Sequence, residues 1–304
     1  MDLTADPIKL ARLKVSKAAM HRHFEASTQR TFGAVELAAL IEEKAVAWRL
    51  PANASPRDVI EFLTQNSKLK RITLPRHSGN ASISIFTWNT PSIYQLLQTS
   101  HPSSYFTHST ALHFHKLSST SPAAIYLNTE QRPRQQDGEL QQHRIDSAFR
   151  RHPRVTQSVG HVDDTRVHFV NGMHTGAAGV IEQEVSIAGV GASPLRFTNL
   201  SRTLIDIVVR PAYSGGAREV INAYKAARDQ TSPKELADLL SQLNYIYPYH
   251  QSVGYCLEQA GHSQASLRAL KRLPREFEFY LVHHRGDFKY IPEWRLHIPA
   301  DLEI

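Results

Sequence analysis

Long apolar runs and paired cysteines are both missing from this chain of 304 residues. A bilayer span needs about 20 mostly apolar residues. Runs such as Leu204 to Val209 are far shorter, and this one contains Asp206. The first ten residues contain two aspartates and no apolar signal-peptide core. Cys256 has no second cysteine to pair with, which is typical of a reducing compartment. We therefore expect a cytoplasmic protein without a membrane span.

The established catalytic signatures are lacking as well. The chain contains no G-x-x-x-x-G-K-[ST] phosphate loop, no H-E-x-x-H zinc motif and no G-x-S-x-G nucleophile turn. Its 17 histidines do not have the spacing to cysteines or carboxylates that a zinc site needs. Cys256 lies at an inward-facing helical position, which predicts a buried, unreactive thiol. The sequence predicts no metal, no cofactor and no enzymatic activity. A nuclease that uses acidic pairs such as Glu182 and Glu184 remains the alternative.

Acidic residues are scarce in one part of the chain, whose net charge is +7. Residues 1–88 contain 13 lysines and arginines against 8 acids, so +5 of the net charge lies there. From Phe62 to Trp88 there are four basic residues and no acid. A carboxylate would repel a nucleic-acid backbone, so this segment suits a phosphate-rich partner. A solvated charged face is the alternative explanation.

The first 88 residues show three helical patterns followed by a β-hairpin. Apolar residues recur at helical spacing over residues 8–26, and TFGAVELAALIEE predicts a second helix capped by Thr31 with Val35 facing inward. Ser55 and Pro56 form a typical start for the third helix. The runs LKRITLP and SISIFTW flank a Ser-Gly-Asn turn and predict the hairpin. This order predicts a winged helix-turn-helix over residues 1–88.

In that motif the third helix would enter the major groove of double-stranded DNA. Arginine recognises guanine, and glutamine or asparagine recognises adenine, through paired hydrogen bonds to base edges. The residues predicted to face bases are Arg57, Gln65, Asn66 and Lys68. The residues predicted to contact the DNA backbone from the wing are Lys70, Arg71, Arg76 and His77. A helical domain whose hairpin serves packing or dimerisation is the alternative.

The remaining 216 residues, 89–304, alternate between helical and strand patterns. The sequence predicts an α/β (α+β) domain there, with a subdivision near residue 195 and a largely helical C-terminal part. The segments EFEFYLV and KYIPEWRLHIP predict a closing β-hairpin. Arg144, Arg150, Arg151 and Arg154 make the stretch 131–154 basic, which suits either phosphate contacts or a solvated loop.

Two short tracts occur in a fixed order behind the predicted winged helix. The first is Ser109-Thr110-Ala111-Leu112 with His115, and the second is Arg202-Thr203-Leu204-Ile205-Asp206. Together with the winged helix, they resemble the AbiEi family of antitoxins and transcriptional regulators of type IV toxin–antitoxin systems. The resemblance extends over about residues 28–300. The chain departs from the family pattern at Lys116, where glycine is usual, and at Ser201, where an acid is usual.

The resemblance implies two activities. The winged helix would bind inverted repeats upstream of its own gene and repress that operon. The C-terminal domain would counteract a nucleotidyltransferase-like toxin in phage defence by abortive infection. We interpret the matching residues as structural, with Arg202 and Asp206 paired on one helical face and with His108 and His115 bonded to the scaffold. A module that neutralises a protein partner by direct binding is a further alternative.

Overall fold

The structure, a computed structural model, describes residues 7–75, 82–118, 122–134, 139–162, 164–284 and 286–302. It contains both helices and sheets, which confirms the predicted α+β fold class. The chain divides into two units. The first comprises Met1–Ser103 and Glu182–Leu195, and the second comprises Ser104–Ile181 and Arg196–Ile304.

The first unit has the element order of a winged helix. Its strands form a three-stranded antiparallel sheet with the order β1-β3-β2. In chain order the elements are α1 (Pro7–Ala26), β1 (Thr31–Gly33), α2 (Ala34–Lys44), α3 (Pro56–Asn66), β2 (Leu69–Pro75), β3 (Ser82–Trp88) and α4 (Ile93–Ser100).

The start of α2 differs from the prediction. Thr31 belongs to β1 and pairs with Thr87, so it is not the cap of the helix; Gly33 is the N-cap. Val35 was predicted to face inward and is instead 85% exposed. The buried positions of α2 are Leu37 and Ile41. Val35 lies two residues before Leu37 and therefore about 200° around the helix from it.

Helix α3 begins where the sequence predicts. The hydroxyl of Ser55 accepts a hydrogen bond from the backbone N–H of Asp58 at 3.3 Å, and the Asp58 carboxylate accepts one from the backbone N–H of Ser55 at 2.9 Å. This reciprocal capping box satisfies two backbone donors at the helix start. The side chains of Phe62 and Leu63 on α3 are buried in the core of the first unit, where Trp88 also lies.

The second unit contains a mixed sheet and a helical layer. From residue 104 the strands are β4 (Tyr105–Phe106), β5 (Ala124–Glu130), β6 (Val159–Val162), β7 (Thr165–Gly172), β8 (Val180–Ile187), β9 (Gly191–Thr198), β10 (Phe279–Tyr280), β11 (Phe288–Ile291) and β12 (Leu296–Pro299). Of these, the part of β8 and β9 that lies within Glu182–Leu195 belongs to the first unit. The strands of the mixed sheet in the second unit have the order β6-β7-β5-β4-β9, in which β5 pairs in parallel with β7, and β4 pairs in parallel with β9 at Phe106 and Phe197. The helices are α5 (His108–Phe114), α6 (Gln142–Phe149), α7 (Leu200–Val209), α8 (Ala217–Ala226), α9 (Pro233–Leu243), α10 (Tyr249–Gln259) and α11 (Arg268–Lys271).

The closing strands correct the predicted hairpin. β10 comes from EFEFYLV and pairs in parallel with β12, while β11 and β12 both come from KYIPEWRLHIP and pair antiparallel. Trp294, between β11 and β12, is fully buried. The Trp294 ring lies against the backbone of Gly254 in α10. Its Cζ3 and Cη2 atoms leave no room for a side chain at Gly254. The buried Trp294 therefore lies in a turn that divides KYIPEWRLHIP into two strands, and the sequence pattern does not predict this turn.

Helix α7 lies at the centre of the helical layer. Its residues Leu204, Ile205 and Ile207 are fully buried in one hydrophobic cluster with residues of α8, α9 and α10. No helix in the described part of the chain is long and apolar enough to cross a membrane.

Candidate functional site

The outward face of α3 carries the predicted DNA-reading residues, with one addition. Arg57 and Gln65 are exposed, as predicted, and Arg57 makes no ion pair with the described residues. Glu61 lies between them, at four residues from each, and accepts a 3.3 Å hydrogen bond from the Gln65 amide. Residues four apart share a helical face. The four-residue spacing from Arg57 and Gln65 would have predicted Glu61 on the same face, but Glu61 is not among the base-facing residues predicted from the sequence.

The other two predicted base-facing residues have partners within the protein. Asn66 ends α3, and its side-chain amide donates to the carbonyl of Phe62 at 3.0 Å. Lys68 lies beyond the helix, which corrects the prediction that the helix presents it. Its ammonium is 2.7 Å from the carboxylate of Glu25, which also accepts a 3.2 Å hydrogen bond from the indole of Trp88. That contact joins residues 43 positions apart, so no local pattern reveals it.

Two of the residues predicted to contact the DNA backbone, Lys70 and Arg71, lie on opposite faces of β2. Lys70 and Arg71 are both exposed, but neighbouring residues of a strand point to opposite sides of the sheet. Arg71 pairs across with Phe86 and has its guanidinium carbon 5.1 Å from the centre of that ring. Lys70 pairs across with Thr87. Arg76 and His77 lie outside the described residues.

The two family-like tracts form neighbouring helices in the second unit. Leu112 of α5 and Leu204 of α7 are buried in the same cluster, and Ala111 is fully buried. The Thr110 hydroxyl accepts a 2.9 Å hydrogen bond from the backbone N–H of Tyr126, while Ser109 is half-buried. One residue of each tract contacts Thr198: His115 and Thr203 both donate to its carbonyl, at 2.9 and 3.0 Å.

Arg202 and Asp206 form the ion pair that their spacing predicts. Arg202 Nε is 2.7 Å from Asp206 Oδ1, and both side chains are buried. Thr107 donates to the other carboxylate oxygen at 2.8 Å, and Arg202 Nη1 donates to the carbonyl of Ala178 at 2.7 Å. Burial favours the neutral form of Arg202, but the charge and hydrogen bond of Asp206, together with Tyr245 and Tyr105, outweigh burial and raise the arginine pKa. The Arg202 guanidinium is therefore charged and held in place by these contacts.

Glu130, at the end of β5, continues this polar network. Its carboxylate accepts hydrogen bonds from the backbone N–H groups of Thr175 at 2.9 Å and Ala177 at 3.1 Å, and from the hydroxyls of Tyr105 and Thr175. Burial would raise the pKa of Glu130, but these donors lower it overall. Thr175 is also 3.2 Å from Arg202, which links the two acids through one loop.

Within the described part of the chain, His108 lacks a hydrogen bond at one of its two ring nitrogens, whereas the sequence predicts a histidine bonded to the scaffold. It is buried and has a φ of 54°, an uncommon backbone conformation for a residue other than glycine. Nδ1 of His108 has no hydrogen-bond partner among the described residues. Burial lowers the pKa of His108 to about 4, so the ring is neutral at pH 7. Strained backbone and an orphaned buried nitrogen both cost stability, and such costs concentrate at functional sites.

His108 and the ion pair line one cavity of about 510 Å³ in the second unit. This volume lies in the range of about 300–1,000 Å³ that is typical of small-molecule pockets. Aromatic side chains form much of its wall: Tyr213, Tyr245, Tyr247 and Tyr249. The cavity therefore combines buried charge, a neutral imidazole and aromatic rings.

Metal-binding and thiol chemistry find no support in the described part of the chain. Its histidines, cysteine and acids form no group of three that could hold a metal ion. Cys256 is completely buried, and burial raises the pKa of its thiol. A thiol in that state is a poor nucleophile.

No family model matches the chain, and no curated protein matches its sequence significantly. The structure is similar to a crystal structure of the RV2827C protein from Mycobacterium tuberculosis, with a TM-score of 0.53 and 14% sequence identity. The similarity covers 96% of this chain and 92% of that one. At this identity the similarity concerns the fold alone.

Proposed function

We propose that the first unit binds double-stranded DNA in a sequence-specific manner and that the protein is a transcriptional repressor, acting in the cytoplasm. The observation that carries this proposal is the winged-helix order of the first unit, with Arg57 and Gln65 exposed on the outward face of α3. An arginine and a glutamine on a recognition helix suit guanine and adenine, respectively.

Glu61 gives this face selectivity. Its carboxylate repels phosphates, so the middle of α3 gains nothing from non-specific backbone contact. A carboxylate in the major groove accepts a hydrogen bond from the amino group of cytosine. Because Glu61 also holds the amide of Gln65, it orients the neighbouring reading residue. We infer that Arg57, Glu61 and Gln65 contact bases, while Asn66 and Lys68 support the protein's own fold.

The test is fluorescence anisotropy of the full chain with the duplex just upstream of its gene and with a scrambled duplex, at 50 and 200 mM salt. Wild-type protein should prefer the upstream duplex and bind both duplexes more weakly at high salt. Arg57→Ala should lose about 1–3 kcal/mol of discrimination between the duplexes. Arg272→Ala, an exposed arginine of the second unit, is the matched control and should bind like wild type. Equal wild-type affinity for both duplexes would refute sequence-specific repression.

An antitoxin activity of the AbiEi kind remains a prediction from the two tracts. Its check is co-expression with a nucleotidyltransferase-like gene adjacent to this one. We expect growth to be restored by the intact chain, and growth arrest that persists would count against the antitoxin assignment.

A further inference from the structure

A second cavity of the second unit is strongly basic. It has a volume of about 470 Å³ and is lined by four arginines and three histidines, with no acidic residue among its described lining residues. The arginines are Arg144, Arg151, Arg154 and Arg210. Guanidinium groups repel one another unless an anion lies between them. Such a cluster is the arrangement that recognises phosphate, because the planar guanidinium donates paired hydrogen bonds to its oxygens.

Three parts of the fold bring these cations together. His143 and Ser147 lie four residues apart on one face of α6, while Ile145 and Phe149 anchor the helix in the core. Arg151 follows the end of α6 and donates to the Ser147 hydroxyl at 3.1 Å. Arg154 follows in a segment that is held where the backbone N–H of Thr156 donates to the Tyr213 hydroxyl at 2.7 Å. Arg210 comes directly after α7 and donates to the carbonyl of Arg154 at 3.4 Å.

The acid on α6 does not neutralise this cluster. Asp146 accepts hydrogen bonds from the Tyr280 hydroxyl at 3.0 Å and from the amide of Gln142 at 2.8 Å. Both partners lie away from the cavity, and Asp146 is not among its lining residues. Arg144 and Arg154 make no ion pair with the described residues. The positive charge therefore remains available to a ligand.

Aromatic residues also line this cavity. Tyr247 and Tyr249 line it, and His283 lies flat on Phe149 with 4.4 Å between the ring centres. Tyr247, Tyr249 and Arg210 also line the 510 Å³ cavity that contains the Arg202–Asp206 pair, so the two cavities share a wall. Aromatic side chains provide stacking surfaces for nucleobases.

We propose that the second unit binds a mononucleotide at this basic cavity. Its phosphates lie among Arg144, Arg151 and Arg154, with Arg210 at the shared wall, and its base stacks on Tyr247 or Tyr249. The site is separate from the DNA-contacting residues proposed for the first unit. A cavity of this size suits a small ligand better than a duplex.

Isothermal titration calorimetry of the full chain tests this with four probes: ATP, AMP, adenosine and inorganic pyrophosphate. We expect ATP and AMP to bind and adenosine to bind at least tenfold more weakly than AMP. The double variant Arg144→Ala/Arg154→Ala should lose at least tenfold in affinity for ATP. Both side chains are exposed, so an unchanged thermal midpoint shows that the variant is folded. Arg132→Ala, another exposed arginine of the same stretch, is the matched control and should bind ATP like wild type.

Two further arms locate the ligand. Tyr247→Leu should weaken AMP binding and leave pyrophosphate binding unchanged. Arg57→Ala/Lys70→Ala, at the proposed DNA surface, should bind ATP normally, which separates this site from the DNA proposal. The proposal is overturned if neither ATP nor AMP binds at millimolar concentration, if the Arg144/Arg154 variant binds ATP normally, or if adenosine binds as tightly as AMP. A single-stranded decanucleotide is a fifth probe, and its binding without any binding of ATP or AMP would also overturn the proposal, in favour of a nucleic-acid strand.

Discussion

Asp206 is the carboxylate that neutralises Arg202 inside the second unit. Its two oxygens accept from Arg202 and Thr107, so its removal leaves a buried guanidinium without a counter-charge. Breaking a buried pair by removing one partner is far more costly than the pair's net contribution to stability, because an uncompensated charge remains. The same spacing occurs on the surface between Lys234 and Asp238, which are largely exposed.

We expect Asp206→Asn to lower the free energy of unfolding by about 3–5 kcal/mol. Asp238→Asn breaks an exposed pair of identical spacing and should cause little change. Urea denaturation at pH 7, followed by circular dichroism, measures both variants. Equal effects in the two variants would show that burial does not govern the Arg202–Asp206 pair.

His108 makes stability depend on pH. Asp206 faces the ring and favours its charged form, while Arg202, Arg210 and above all burial oppose it. The pKa is about 4 in the folded chain against 6.5 in the unfolded one. Below pH 6.5 the unfolded state therefore takes up a proton that the folded state refuses, and stability falls as the pH drops from 6.5 towards 4.

We expect His108→Asn to reduce this loss of stability by up to about 3 kcal/mol at pH 4. Asparagine tolerates the positive φ of this position, so the backbone can remain unchanged. The measurement is the urea midpoint at pH 7, 6, 5 and 4, with exposed His161→Asn as the control. A variant that loses stability with pH as steeply as wild type would contradict the role given to His108.

At the scale of elements, the packing of helix α10 against Trp294 requires a glycine at position 254. A Cβ at Gly254 would lie 2.1 Å from the Trp294 ring, well inside van der Waals contact. Neither group can move easily, because Trp294 is fully buried and its indole donates a 2.8 Å hydrogen bond to Glu258. Overpacking of this kind typically costs about 1–3 kcal/mol or more.

We therefore expect Gly254→Ala to lower the thermal midpoint clearly and to reduce the near-ultraviolet signal of tryptophan. Gly33→Ala is the matched control, because its added Cβ would find its nearest atom at 4.0 Å and its φ is −69°. Differential scanning calorimetry measures the thermal midpoints of both variants. A Gly254 variant as stable as wild type would mean that α10 and Trp294 can move apart.

Strand β2 separates two cations that the sequence groups together. Because Lys70 and Arg71 face opposite sides of the sheet, only one of them can contact a given DNA backbone. We expect either Lys70→Ala or Arg71→Ala to lower the slope of log K against log salt by about one, and the other to leave it unchanged. Anisotropy titrations from 50 to 200 mM salt measure the slope, with Lys289→Ala as the control for an exposed lysine. Equal losses in both variants would contradict this arrangement of the strand.

For the whole molecule, the distribution of charge matters more than its sum. Of the net charge of +7, residues 1–88 contribute +5, and the cluster from Arg144 to Arg154 provides a second basic region. The two regions belong to different units of the chain. Under the two proposals, the first region contacts DNA and the second binds a mononucleotide.

Local features of this chain could be recognised from its residues alone. The capping box at Ser55, the helices α1 and α3, and the Arg202–Asp206 pair all depend on residues within four positions of one another. Hydrophobic periodicity, caps and helical spacing are short-range properties, so they predict elements and pairs within elements.

Contacts between distant residues required the folded chain. Lys68 meets Glu25 across 43 positions, Thr107 meets Asp206 across 99, and β10 pairs in parallel with β12 instead of forming the expected hairpin. His108, which directly precedes the first tract, lines one cavity together with Arg202 and Asp206 of the second tract. Which distant residues meet depends on how whole elements pack, because strand order and helix packing are chosen by the burial of many side chains together. Short-range spacing therefore carries no record of these contacts.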